Sequence, residues 1–264
     1  MQDDFSVSKN SPDQTVSPYL FVFMGASNLA RGYSALANCL VRCLAPHPVE
    51  ILHAMGPGRG YCAEGGIFNI TYSPIGSCGI LKSASGRVRG VRRVVALITD
   101  IGNDIMYDVP VSEITSCLNT LLQNLDAIGA DVFVNPIPLD FAEDVSERQF
   151  RILKSIFYPH SAVDYSRAAK AVTAVNGFLR DSAGGRIHLL PSAKDFCGVD
   201  KIHYSIFRSH KAWSQMAAEM LRVLPVEQAG KIGWLPTLNS LFANMGRLVF
   251  CDMIPVRKKS PGTF

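Results

Sequence analysis

Ser27, Asn103, Asp200 and His203 come from three widely separated stretches, yet together their types can carry out acyl transfer. A serine hydroxyl is a weak nucleophile until a neighbouring base takes its proton. An imidazole can be that base, and a carboxylate can fix its tautomer and steady its cation. Amide N–H groups can hold the negative oxygen that forms on an attacked carbonyl. Asp200 and His203 stand three apart in DKIHYSIFRSHKAW, Asn103 closes a Gly-Asn step in LITDIGND, and Ser27 follows Gly-Ala in FVFMGASN. Singly, each has a plainer account: Ser27 as a helix cap, Asn103 as a turn residue, Asp200 as the residue that starts a helix, His203 as a satisfied loop histidine.

The elements around these residues give them a joint meaning. Residues 20–24 form a short apolar run rich in β-formers, followed by Gly25, Ala26, Ser27 and Asn28, and then by an amphipathic repeat through Leu29, Tyr33, Leu36, Leu40 and Leu44. This reads as strand, tight turn and helix, with Ser27 or Asn28 expected to cap the helix. Further strands are predicted at 49–54, 91–99, 130–136 and 186–190. Helices are predicted at 112–128, 146–157, 161–181 and 205–224, the last placing Ile206, Trp213, Ala217, Met220 and Leu224 on one face. Residues 55–90 read as one long glycine-rich irregular loop. The alternation of strand and helix predicts a flavodoxin-like, three-layer α/β/α sandwich with about five parallel strands. Parallel strands end on one edge of the sheet, where ligands bind. Ser27, Asn103 and the Asp200–His203 pair all follow strand ends and are expected to converge there.

At 264 residues and 48% hydrophobic content, the chain can bury one sizeable core. The expected organisation is a polar lead at 1–18, one domain at 19–224 and an appendage at 225–264. Leu238, Leu241, Phe242, Met245 and Leu248 suggest a covering helix in that appendage. A formal charge of +4 and the lack of a basic run interleaved with aromatics argue against nucleic acid as partner. The basic cluster RVRGVRR at 87–93 reads as a solvated loop entering a strand. Seven cysteines without a C-x-x-C pair suit a reducing compartment, and Cys39 and Cys43, four apart on the first helix, read as buried thiols rather than metal ligands. With no secretory pattern in 1–18 and no apolar run of transmembrane length, a cytoplasmic protein is expected. Nothing in the composition sets the oligomeric state.

Over residues 20–224 the sequence resembles the SGNH (GDSL-type) hydrolases. FVFMGASN is similar to the first block of that family with Ser27 as nucleophile, LITDIGND to the third with Asn103 as oxyanion-hole asparagine, and DKIHYSIFRSHKAW to the fifth with Asp200 and His203 in the catalytic positions. The second block is represented by HAMGPGRGY, where Gly58 would be the backbone donor and Gly60 and Gly56 are competitors. The family's Asp before the nucleophile is Ala26 here, its Leu after the nucleophile is Asn28, and the glycine two before the asparagine is Ile101.

The resemblance implies a serine esterase acting on a small-molecule carboxylic ester through an acyl-serine intermediate, with Ser27, Asp200 and His203 as triad and Ser27, Gly58 and Asn103 as oxyanion hole. It implies no metal and no organic cofactor. His210, two helical turns beyond His203, is expected to support rather than react. Two other readings compete: a catalytically inactive protein of the same fold that binds a ligand or partner, and nucleotide binding at 56–60. The latter lacks both G-x-x-x-x-G-K-[ST] and G-x-G-x-x-G.

Overall fold

The computed structural model describes residues 17–67, 70–227, 230–254 and 262–264, so most of the lead expected at 1–18 lies outside the described residues. Strand β1 (Tyr19–Met24) leads into helix α1 (Ser27–Leu44), and β2 (Val49–Ala54) follows. After a long loop come α2 (Ile80–Ser85), β3 (Arg93–Ile98), the single-turn α3 (Asn103–Met106), α4 (Val111–Ala127) and β4 (Asp131–Val134). The chain continues through α5 (Phe141–Asp144), α6 (Glu147–Phe157), α7 (Tyr165–Asp181), β5 (Ile187–Leu189), α8 (Ser209–Arg222) and α9 (Trp234–Arg247). The five strands make one sheet in the order β2-β1-β3-β4-β5, and every neighbouring pair is parallel. This is the flavodoxin-like order, with helices on both faces.

Burial follows from that layering. Every residue of β1 is buried, because a parallel strand between two helical layers has no solvated face. Successive side chains alternate between the layers. Leu20, Val22 and Met24 join a core with Leu118, Leu125 and Val172 of α4 and α7. Tyr19, Phe21 and Phe23 join a second core with Leu36 and Leu40 of α1 and Trp213 and Met220 of α8.

Three expectations are corrected. The stretch 55–90 is not wholly irregular: it holds a short 3-10 turn, Ile75–Ser77, and α2, each too short to show a period in sequence. Helix α8 starts at Ser209, which leaves Ile206 44% exposed and outside the helix. There the Ser205 N–H donates to Phe196 O and Tyr204 bridges Cys197, so the backbone closes the preceding loop before turning helical. Helix α9 is rotated from its apolar stripe. It buries Thr237, Ser240 and Asn244 and leaves Phe242 and Met245 exposed. It packs on α1, where Ser240 Oγ accepts from Ser34 N at 3.1 Å; small polar side chains allow that close approach.

Residues 262–264 run beside β2, with the His53 N–H donating to Gly262 O and the Phe264 N–H to His53 O. In the basic cluster, Arg93 pairs with Asp131 at 2.6 Å, Arg87 with Glu50 at 3.7 Å, and Arg92 lies over the Tyr19 ring. No described helix is long and apolar enough to cross a membrane.

Candidate active site

The turn after β1 builds the first part of the site. The Gly25 N–H donates to Ala54 O at the end of β2, and the chain reverses so that α1 begins at Ser27. Neither Ser27 nor Asn28 caps that helix, contrary to expectation. Asp100, from the turn after β3, supplies the acceptor instead: Oδ2 takes the N–H groups of Ala26 and Leu29 at 2.9 and 3.0 Å. A carboxylate suits this position, because the first turn has unpaired N–H groups and the positive end of the helix dipole. Asp100 does this from a left-handed backbone (φ 59°), which aspartate tolerates better than most residues. The Ser27 hydroxyl is thereby left for another partner.

That partner is His203. Ser27 Oγ lies 2.9 Å from His203 Nε2, and His203 Nδ1 lies 2.7 Å from Asp200 Oδ2. With a carboxylate at Nδ1, that nitrogen carries the proton and Nε2 is the acceptor for the serine hydroxyl. Asp200 Oδ1 also accepts the N–H groups of His203 and Ile202 at 2.9 and 3.1 Å, so the loop holds its own carboxylate in place. Burial favours the neutral acid. The bond and charge of His203 and the two backbone N–H groups outweigh it and hold Asp200 below the usual carboxylate pKa. The Phe157 ring stands 5.4 Å from the imidazole.

Asn28 ties these parts together. It is 5% exposed, and its Nδ2 donates to Asp100 Oδ1 at 2.9 Å and to Ile202 O at 3.0 Å, while its Oδ1 accepts the Tyr204 N–H at 2.9 Å. A leucine there would make none of these bonds. Ala26 and Asn28 are therefore linked to Asp100, which carries the acceptor work across from the neighbouring strand end.

Asn103 is the first residue of α3 rather than a simple turn residue. Its Nδ2 donates to Arg59 O at 2.8 Å, and its Oδ1 accepts from the Tyr158 hydroxyl. An amide nitrogen has two hydrogens, and the second has no acceptor among the described residues. Burial pushes the Tyr158 phenol well above its ordinary pKa, so it remains protonated and able to donate.

The same single-turn helix clamps the glycine-rich loop. Asp104, fully buried, accepts the N–H groups of Tyr61, Cys62 and Ala63 at 2.7, 3.0 and 2.9 Å, and the Tyr107 hydroxyl donates to Gly58 O. Burial pushes the Asp104 pKa up while the three N–H donors pull it down. Gly58 has φ 74°, a conformation few other residues adopt. A Cβ on Gly56 would lie 2.5 Å from Tyr72, and one on Gly60 2.5 Å from Asp104. The loop is pressed against the protein, not open as a phosphate cradle, which removes the basis for nucleotide binding at 56–60.

Beside Ser27 lies a cavity of about 110 Å³. Ser27, Asn103 and Asp200 line its polar end, and Ile105, Ile137, Phe150, Leu153 and Val172 are among its apolar lining. None of Gly56, Gly58 and Gly60 lines it. His210 sits in the first turn of α8, and its Nδ1 is buried with no partner among the described residues. Cys39 and Cys43 are both buried on α1.

Sequence reasoning brought Ser27, Asn103, Asp200 and His203 to one sheet edge but missed Asp100, Asn28 and Tyr158 as structural partners. Asp100 carried a usable signal, standing at the carboxyl end of the central strand. Tyr158 carried none, since it reaches Asn103 from 55 residues away.

No protein-family model and no curated protein matches the sequence. Solved structures similar to the chain include the psychrotrophic esterase EstA from Pseudoalteromonas sp., inhibited by monoethylphosphonate, at 10% identity over 87% of this chain and 98% of that one, with a TM-score of 0.39. Family 3 carbohydrate esterase of Clostridium thermocellum is similar at 10% identity over 77% and 94%, with a TM-score of 0.37. TesA is similar at 16% identity over 87% and 99%, with a TM-score of 0.34.

Proposed function

We propose that this protein is a serine hydrolase that cleaves a carboxylic ester through an acyl-serine intermediate. The observation that carries the reading is the continuous line from Asp200 Oδ2 to His203 Nδ1 at 2.7 Å and from His203 Nε2 to Ser27 Oγ at 2.9 Å. In this reading Ser27 Oγ attacks the ester carbonyl carbon while His203 Nε2 takes the hydroxyl proton. Asp200 holds the imidazole and stabilises its cation without taking the proton. The carbonyl oxygen becomes an oxyanion, held by the Ser27 N–H, the second N–H of the Asn103 amide and the Gly58 N–H. Gly58 is proposed because it belongs to the same loop whose Arg59 carbonyl positions Asn103. Collapse breaks the bond to the alcohol oxygen, which leaves with the proton from His203. Water, deprotonated by His203, then attacks the acyl carbon, the bond to Ser27 Oγ breaks, His203 returns the proton to Oγ, and the carboxylic acid is released.

The inactive alternative drew only on Ala26 and Asn28, and the bonds of Asp100 to both residues account for them without loss of the serine. A fluorophosphonate probe tests the reading. One mass adduct is expected on Ser27 of the native chain and none on Ser27→Ala, whose ester turnover should also vanish. An unlabelled native protein, or undiminished turnover in the variant, would overturn the assignment.

A further inference from the structure

The cavity beside Ser27 narrows the substrate. We infer that it holds the acyl chain of the ester, and that the substrate class is esters of linear acyl groups several carbons longer than acetyl. The inference rests on the hydrolase reading above and adds the direction and chemistry of the bound group.

The walls are mainly apolar, with Ile105 of α3, Ile137 after β4, Phe150 and Leu153 of α6, and Val172 of α7, although Asn135, Lys154, Tyr158 and Lys201 also line them. A void of about 110 Å³ with such walls favours an apolar guest over water, because water needs two or more polar partners to offset its lost hydrogen bonds. An acetyl group would leave most of that space empty, and its apolar lining would lose contacts that a longer chain supplies.

An ester has two arms, and either could enter an apolar space. Departure of the alcohol requires its oxygen to face His203 Nε2, the atom that returns the proton. Ser27 and Asn103 line the cavity; His203 does not, although its partner Asp200 and its neighbours Ile202 and Tyr204 do. An ester bound with its carbonyl oxygen at Asn103 and its leaving oxygen at His203 therefore points its acyl arm into the cavity and its alcohol arm away from it.

Isomeric esters test both the length and the direction of the bound group. Ethyl octanoate and octyl acetate have the same atoms, and only the first places its long arm on the acyl side. The expected result is a kcat/KM for ethyl octanoate at least roughly tenfold above that for octyl acetate, the scale a filled hydrophobic pocket supplies. Leu153→Trp, which adds bulk to the half-buried α6 wall, should lower that ratio by a similar factor. Phe150→Ala, which enlarges the space, should move the optimum to longer acyl chains. Equal rates for the two isomers on unlabelled protein, with a separate sample labelled on Ser27 by fluorophosphonate, would overturn the acyl assignment and leave the hydrolase standing. Preference for octyl acetate would assign the cavity to the alcohol and overturn it equally. Octanoate binding to Ser27→Ala gives a readout independent of turnover. Binding weakened by Leu153→Trp supports the acyl site even if no ester is cleaved, and no binding overturns it. Should Leu153→Trp fail to fold, the isomer ratio and octanoate binding, read on protein with that wall unaltered, still decide.

Discussion

At the scale of single residues, the amide of Asn103 is held on both sides, by Arg59 O and by the Tyr158 hydroxyl, with one N–H left over. If that N–H meets an oxyanion, its bond strengthens as charge develops, so its loss should fall on kcat more than on KM. Asn103→Ala should lower kcat by about 10²–10³, and Asn103→Asp at least as much, since a carboxylate has no donor and repels an oxyanion. Tyr158→Phe removes only the orienting hydroxyl and should cost less, with KM nearly unchanged. Near-normal kcat in Asn103→Ala, with only a lower melting temperature, would reduce Asn103 to a structural residue. Asp200 gives a prediction in pH. Its folded pKa lies below the ordinary 3.8, so the folded state binds the proton less readily than the unfolded chain. The carboxylate therefore contributes stability above about pH 3.8, and this contribution is lost as pH falls through the lower folded value. Denaturant midpoints of the native chain and Asp200→Asn should differ at neutral pH and converge in that acidic window. A constant offset down to the lowest pH would refute the linkage.

At the scale of elements, the start of α1 depends on a carboxylate from a different strand. Removing a helix cap costs about 1 kcal/mol, and the buried N–H groups left without an acceptor cost about 1–3 kcal/mol more. Asp100→Ala should thus lower the denaturant midpoint clearly and slow fluorophosphonate labelling, because the Ser27 turn loses its anchor. Asn28→Leu tests the same junction from the other side. It installs the residue of the resembled family but deletes three bonds that join the Ser27 turn to Asp100 and to the Asp200–His203 loop. The expected outcome is slower labelling of Ser27, not faster. Labelling at the native rate by both variants would show that the junction does not position Ser27.

At the scale of the whole molecule, the site stands on a sheet edge whose one face is covered by α1 and α8 packed together. Gly32 of α1 meets Trp213 of α8 so closely that an added Cβ would lie 2.0 Å from the indole Nε1. Trp213 is 1% exposed and has no room to retreat. Gly32→Ala must push α8 away from α1. Overpacking of this kind costs about 1–3 kcal/mol or more. The denaturant midpoint should fall with an unchanged m-value, and activity should fall with it, because the His203 loop leads directly into α8. A stability within error of the native chain would mean that the two helices are not in register as described.

What the amino-acid sequence determined on its own is whatever is encoded locally. Strand and helix periods repeat over a few residues, so the alternation, and with it the parallel three-layer sheet, was legible, with element ends displaced by a few residues. The Asp200-x-x-His203 spacing was legible for the same reason: Asp200 reaches the N–H groups only two and three positions ahead. The turn of Ser27 between an apolar strand and an amphipathic helix belongs with these. The long-range partners were decided by tertiary structure alone. Asp100 caps a helix more than seventy residues earlier in the chain, and Tyr158 aligns an amide 55 residues away. Helix α9 presents Thr237, Ser240 and Asn244 inward, although its apolar pattern pointed elsewhere. The physical reason is common to all three. Periodicity reports which face of an element is apolar, but a hydrogen bond depends on which loops the sheet order brings within about 3 Å, and that distance exists only once the strands have paired.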